Sequence, residues 1–249
     1  MDRRDPQVLR KLVGFLTGWY SISSRPQYLC KMVQKETSRS RGRPRNYDPD
    51  VALARATDAF WSTGFSGTSL DRLCDATDMN RPSLYLAFGD KRALYLAALG
   101  QYIEQSSQAI AAAVDYDVPL AVALTQLYEF TLTVYLPKAA NARGCFMIST
   151  AVPEATNDDE IRSLLRGAVT EFDRLVCARL LHARQIGELP EASDPATLAS
   201  IATAVVHTLA IRARAGEPRK ALMAIAAAAV TMICGPVSTA AKAKRRAAR

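Results

Sequence analysis

Apolar positions along the chain recur at intervals of three and four and almost nowhere alternate, which is the period of helices rather than strands. Between Asp48 and Thr63, Leu53, Ala56 and Phe60 share a face with Trp61 close by. Asp48 or Asp50 opens this helix, Pro49 suits its first turn, and Gly64 stops it before Phe65. Thr68 is placed to cap the next helix, with Asp71 as the reciprocal acid of a capping box and Leu70, Leu73 and Ala76 as its apolar face. That helix is expected to end near Thr77 or Asp78. Asn80 caps a third, with Pro82 in its first turn and Leu84, Tyr85 and Phe88 at helical spacing. Gly89 ends it, and Asp90 caps a long helix over Lys91 to Val114. Two helices of about two turns separated by three or four residues have the proportions of a helix-turn-helix.

The pattern beyond this point predicts helices over Val118 to Leu136, Asp158 to Ile186, Asp194 to about Ala215 and Pro218 to about Cys234, with a short apolar element from Gly144 to Pro153. The acidic run Asp158, Asp159 and Glu160 is read as a solvent-facing helix start that suits the helix dipole. The last two helices are rich in Ala and Val, and small side chains let helices approach closely. Such a pair suits either an internal packing or a four-helix interface between two subunits. The fold class is therefore all-α, with an N-terminal three-helix helix-turn-helix domain and a C-terminal helical domain. The expected divisions are 1–40, an extension; 41–93, the helix-turn-helix domain; 94–235, the helical body; and 236–249, a basic disordered tail.

Charge adds a partner. Residues 1–48 carry 11 Lys/Arg against 4 Asp/Glu, and residues 236–249 carry 5 against none, whereas 49–235 carry 16 against 20. Basic ends on a mildly acidic body point to arms that seek a polyanion. Arg41-Gly42-Arg43-Pro44 is similar to a minor-groove hook, in which extended Arg41 and Arg43 side chains flank a Gly that lets the backbone lie close to the groove floor.

Composition narrows the class. The 249 residues are 49% apolar, enough for a substantial core, and five dispersed cysteines show neither zinc nor redox spacing, so reduced thiols in the cytosol are expected. The longest strongly apolar stretch, Met223 to Cys234, is short of the ~20 residues of a membrane-spanning helix. His182 and His207 have no partners at ligand spacing, and each is expected to be a partly buried helix residue. No nucleophile elbow, P-loop or dinucleotide fingerprint occurs. No enzyme, metal or cofactor is implied. Geometry puts Arg81, Pro82 and Ser83 at the exposed start of the second helix of the pair, the end that enters the major groove. Lys91, at a helix N-terminus, is a cation that needs an anion nearby, such as a phosphate.

Residues 43–95 resemble the DNA-binding domain of the TetR/AcrR family of bacterial transcriptional repressors. The residues that carry the resemblance are Ala56, Phe60, Gly64, Phe65, Thr68, Ser69, Leu73, Ala76, Leu84, Tyr85, Phe88, Lys91 and Leu94, and Ala87 departs from the His frequent at that position. Further on, the run GCFMIS from Gly144 and Glu188-Leu189-Pro190 are similar to one common subgroup. The resemblance implies a homodimer through 194–234, a palindromic double-stranded DNA operator, and a small-molecule effector bound in the body. It also implies phosphate contact by Tyr85, and Thr68 and Ser69 are counted with it as DNA-facing. Phe130, Tyr135, Cys145, Phe146, Met147 and Phe172 are the expected lining of a largely hydrophobic effector site, with Cys145 a candidate trigger for electrophiles or oxidants. An architectural DNA-binding protein without an effector is the alternative.

Residues 1–31 differ in character from the rest of the chain. Leu12 to Tyr20 is a short apolar run behind Arg10 and Lys11 that lacks the cleavage site of a signal peptide. The abrupt change at Met32 leads to the expectation that translation begins there. The intact mass of natively expressed protein is expected to correspond to a start at Met32, and a mass matching all 249 residues would overturn this.

Overall fold

The computed structural model describes residues 47–137 and 141–235. Arg41, Arg43, the segments 1–40 and 236–249 and the start at Met32 lie outside the described residues. The described chain is all-α: α1 (Pro49–Gly67), α2 (Leu70–Thr77), α3 (Arg81–Phe88), α4 (Lys91–Ala113), α5 (Leu120–Tyr135), a π-helical turn (Met147–Ala151) running into α6 (Val152–Glu154), then α7 (Asp159–Gln185), α8 (Pro195–Arg214) and α9 (Arg219–Cys234).

Local chemistry accounts for the boundaries. Asp48 caps α1 by accepting from the Asp50 and Val51 amides, with Pro49 at the first position, and Gly64 at φ 75° breaks the helix as expected. Asn80 accepts from Ser83 N–H at 2.9 Å and Asp90 from Ala93 N–H at 2.7 Å. One cap differs. Ser69, not Thr68, opens α2 by accepting from Arg72 N–H at 3.1 Å. Thr68 is fully buried; its hydroxyl donates to the Gly64 carbonyl at 2.5 Å and pairs with Thr63 Oγ1 at 2.8 Å. A buried hydroxyl takes the nearest free carbonyl, and the broken turn at Gly64 supplies one. Asp71 consequently completes no capping box.

In the body, α7 packs along α8, α9 lies against α5 and α8, and α4 bridges α1 to α7. Helix α5 begins at Leu120, two residues later than expected, because its first amide is capped from afar: Leu120 N–H donates to Glu188 Oε2 at 2.9 Å. The same oxygen takes Arg179 Nη2 at 3.1 Å, and Arg179, 0% exposed, also donates to the carbonyls of Asp115 and Val118. Helix α8 is long and apolar enough to cross a membrane by length and composition alone. Here α8 packs between α7 and α9 and also touches α5.

Head and body meet at a turn before the π-helix. Trp61 Nε1–H and Arg214 Nη1 both donate to the Arg143 carbonyl, each at 3.1 Å, while the Arg143 guanidinium lies 4.0 Å from the Trp61 ring centroid and pairs with Asp58 at 2.8 Å. Gly144, at φ +63°, lies so close to α8 that a Cβ would stand 2.5 Å from the Ala210 carbonyl oxygen. A second brace joins Arg92 on α4 to Asp158 at 2.7 Å and Glu160 at 2.8 Å. The acidic run is the helix start that was expected, with Asp159 and Glu160 facing solvent and Asp158 as the cap, and it also serves as a contact between head and body. Hydrogen bonds from Arg92 hold the Asp158 carboxyl below its usual range, at about 2.

Gly144→Ala is expected to cost roughly 2–4 kcal/mol in urea denaturation, from the left-handed backbone and the clash with α8 together. Gly187, at φ +77° with open space around its would-be Cβ, is the control, and Gly187→Ala is expected to cost only about 1 kcal/mol.

Candidate DNA-binding surface and effector cavity

Helix α3 presents one outward face. Arg81, Pro82, Tyr85 and Leu86 are exposed, spaced at one and four residues, while Leu84 is buried and Phe88 packs against the core. Arg81 does not float free: Asp71 Oδ1 on α2 accepts from its Nε at 3.2 Å and its Nη2 at 2.6 Å. This pairing raises the guanidinium pKa further and aims the side chain across the start of α3. Ser83 is half-buried and its amide is taken by Asn80, and Ser69 is exposed at its cap. Lys91 lies with Nζ 4.4 Å from the Phe65 ring centroid, so the aromatic face partly offsets a cation placed at a helix N-terminus. Thr68, fully buried, is withdrawn from this surface.

Sequence reasoning missed Leu86, which is 87% exposed in the middle of the presented face. Its signal was available: positions 81, 82, 85 and 86 share one stripe of a helix, and a large apolar side chain there has no core to enter.

In the body, a cavity of about 50 Å³ lies between α4, α5, α7 and α8. Phe130, Tyr135, Cys145, Met147 and Phe172 line it as expected, and Tyr102, Thr131, Val134, Val206 and His207 complete most of its wall. Phe146 does not. It is fully buried one residue away, with ring centroids 5.5 Å from both Trp61 and Tyr102, in the aromatic group that ties head to body. Successive residues on this turn point apart, so Cys145 and Met147 meet the cavity while Phe146 faces α1.

Among the described residues, no charged side chain lines the cavity. Burial pushes the Tyr102 and Tyr135 phenols well above their usual range and also pushes the Cys145 thiol up, so all three are neutral near pH 7. Tyr102 Oη donates to Cys145 Sγ at 3.4 Å. Arg143, the nearest cation in sequence, is turned away to Asp58 and Trp61. Burial likewise lowers the His207 pKa, against the opposing charge of Asp173. Helical spacing places His207 only as a partly buried residue; it could not bring the imidazole into a cavity with residues from three other helices.

The outer face of the last two helices is apolar. Ile201, Ala204 and Ile211 on α8 and Ala221, Ala224, Ala228 and Met232 on α9 are exposed, with Ile211 at 58% and Met232 at 80%.

Known proteins share this arrangement. The sequence matches the family described as "Bacterial regulatory proteins, tetR family" over residues 52–98 and "Tetracyclin repressor-like, C-terminal domain" over 123–230. It is 30% identical over 189 residues to the HTH-type transcriptional repressor ComR of Escherichia coli (strain K12), spanning 76% of this chain and 90% of ComR. Among solved structures, a cysteine-substituted form of the TetR family regulator CifR, bound to 26-bp double-strand operator DNA, is 32% identical. The likeness covers 76% of this chain and 98% of that one, with a TM-score of 0.68. Reduced NemR of E. coli, at 19% identity, 76% and 98% coverage and a TM-score of 0.65, shares the fold. With a helix-turn-helix whose third helix offers one outward face, a helical body behind it, and a repressor matched over nine-tenths of its own length, the chain belongs to the TetR family of transcriptional regulators.

Proposed function

We propose that this DNA-binding regulator acts as a cytoplasmic homodimeric repressor on a palindromic double-stranded operator, with residues 41–93 as head and 94–235 as body. The observation that carries the reading is the single outward face of α3. Arg81 and Tyr85 offer hydrogen bonds, Leu86 offers an apolar contact for a thymine methyl group, and Pro82 and Ser83 lie at the end of the helix that enters the groove. Ser69 and Lys91 flank this face and suit backbone phosphates. Arg41 and Arg43 are assigned to an arm that grips the adjacent minor groove or phosphates.

The apolar faces of α8 and α9 support dimerisation through 194–234, since an exposed face of this kind on two adjacent helices is buried most simply against its own copy. Two heads so joined must match major grooves ~34 Å apart. The cavity supports an effector in the body. Its free volume is too small for a ligand of ordinary size, so binding must push its walls outward and thereby favours a different arrangement of the body. Tyr102 and Cys145 in that wall are joined through Phe146 and the Arg143 turn to Trp61 on α1. Displacement of the wall therefore reaches the head. Chemistry on a substrate forms no part of this reading.

Operator sites found by genomic footprinting provide the test. In fluorescence anisotropy on such a site, Arg81→Ala is expected to weaken binding by ~1–3 kcal/mol and to relax sequence preference at one base pair. Lys91→Ala is expected to lower the slope of log K against log salt by about one while leaving sequence preference intact. Uniform weakening by Arg81→Ala across all sites would reassign that residue to phosphate.

The Cys145 thiol is buried and protonated, which makes it a poor nucleophile until the cavity opens. Cys145→Ser is expected to abolish any oxidant-induced loss of operator binding, measured by the same assay with and without hydrogen peroxide. Release that persists in the variant would remove this thiol as a trigger.

A further inference from the structure

Among the side chains that line the body cavity, His207 is distinct in presenting a buried nitrogen, Nε2, with no hydrogen-bond partner. Buried polar atoms in native proteins are met by a partner, an ordered water or a ligand. Neighbouring groups do not serve: Asp173 on α7 accepts at its two oxygens from the hydroxyls of Ser200 and Thr203. Tyr102 donates to Cys145. The rest of the wall carries the hydroxyls of Ser106, Thr131 and Tyr135 among aliphatic and aromatic side chains such as Phe130, Val134, Phe172 and Val206, and none of these hydroxyls is hydrogen-bonded to Nε2.

The geometry points to His207 as the polar anchor for an uncharged, mainly apolar effector that carries one hydroxyl group, a phenol or comparable alcohol, seated between α4, α5, α7 and α8. This rests on the reading of the cavity as the effector site and deepens it. Charge is excluded from both sides. A carboxylate would find no cation on the wall and an ammonium no anion, and either would lose its hydration on entry. A hydroxyl both donates and accepts, so it pairs with Nε2 in either tautomer of the neutral ring. The free space of about 50 Å³ admits water but falls well short of the ~150 Å³ of an apolar cavity that accepts benzene. A phenol therefore displaces water from His207 and spreads the side chains around it, whereas water alone leaves the wall in place.

The test uses the full chain and three probes of similar shape, phenol, toluene and benzoate, by isothermal titration with thermal unfolding as a second readout. Phenol is expected to bind on the order of tenfold more tightly than toluene, the difference one hydrogen bond makes, and benzoate is expected not to bind. His207→Leu is expected to bring phenol down to the affinity of toluene without weakening toluene. His207→Gln, which keeps a polar group, is expected to retain the preference for phenol. Where His207→Leu fails to fold, the ratio of phenol to toluene in the unaltered protein and in His207→Gln decides the matter. Equal binding of phenol and toluene by the unaltered protein, or benzoate binding as tightly as phenol, overturns the role of His207 while leaving the cavity an effector site. Binding of none of the three overturns both.

Discussion

The carbonyl oxygen of Arg143 gathers three donors: Trp61 on the first helix of the head and Arg214 at the end of α8, each at 3.1 Å, and the Ser149 hydroxyl on the π-helical turn at 3.4 Å. The two shorter bonds tie this oxygen to different parts of the molecule. The contact fixes three things at once: the angle of the head, the end of a helix in the apolar outer pair, and the course of the chain into Cys145. Gly144 is what permits it. Any side chain at this position would meet the backbone of α8, so the turn could not lie close enough for Trp61 or Arg214 to reach.

Around this point the packing is aromatic rather than aliphatic. Phe60, Trp61, Tyr95, Tyr102 and Phe146 contact one another edge to face or at a tilt, with centroids 5.2 to 6.0 Å apart. Rings of this size resist small adjustments, because a tilt of one forces a move in its neighbours. An arrangement of rigid plates anchored at the Arg143 carbonyl passes on displacement where a cluster of leucines would absorb it. Arg92 with Asp158 and Glu160 braces the opposite edge of the junction. That brace is half-exposed and sensitive to salt, so it adjusts orientation more than it adds stability.

What was legible in the sequence was what is decided locally. Asp48, Asn80 and Asp90 cap the helices they were expected to cap, Pro49 and Pro82 lie in first turns, and Gly64 breaks α1, because a cap or a break needs only its own few residues. The exchange of Thr68 for Ser69 shows the limit of this: two adjacent hydroxyls compete for one role, and burial, which no local pattern reports, decides between them. Contacts between distant segments were not legible. Glu188 capping α5 across 68 residues, Phe146 turning from the cavity to the head, and His207 entering the cavity each depend on how helices far apart in sequence come together. Five of the six residues expected around the effector do line one cavity, since large apolar residues of the body had few other places to go.

The buried residues form one continuous cluster from Ala52 in α1 to Ile233 in α9. Function divides this chain into a part that reads and a part that listens, but the core makes no such division. Cutting between them would strip Trp61 of Tyr102 and Phe146 and part Phe60 from Tyr95. A head grafted onto a foreign body would need that body to supply an aromatic socket of the same shape. The two halves are therefore bound to change together: a substitution that resizes the body cavity near Tyr102 or Cys145 also alters the bed on which the first helix of the head rests.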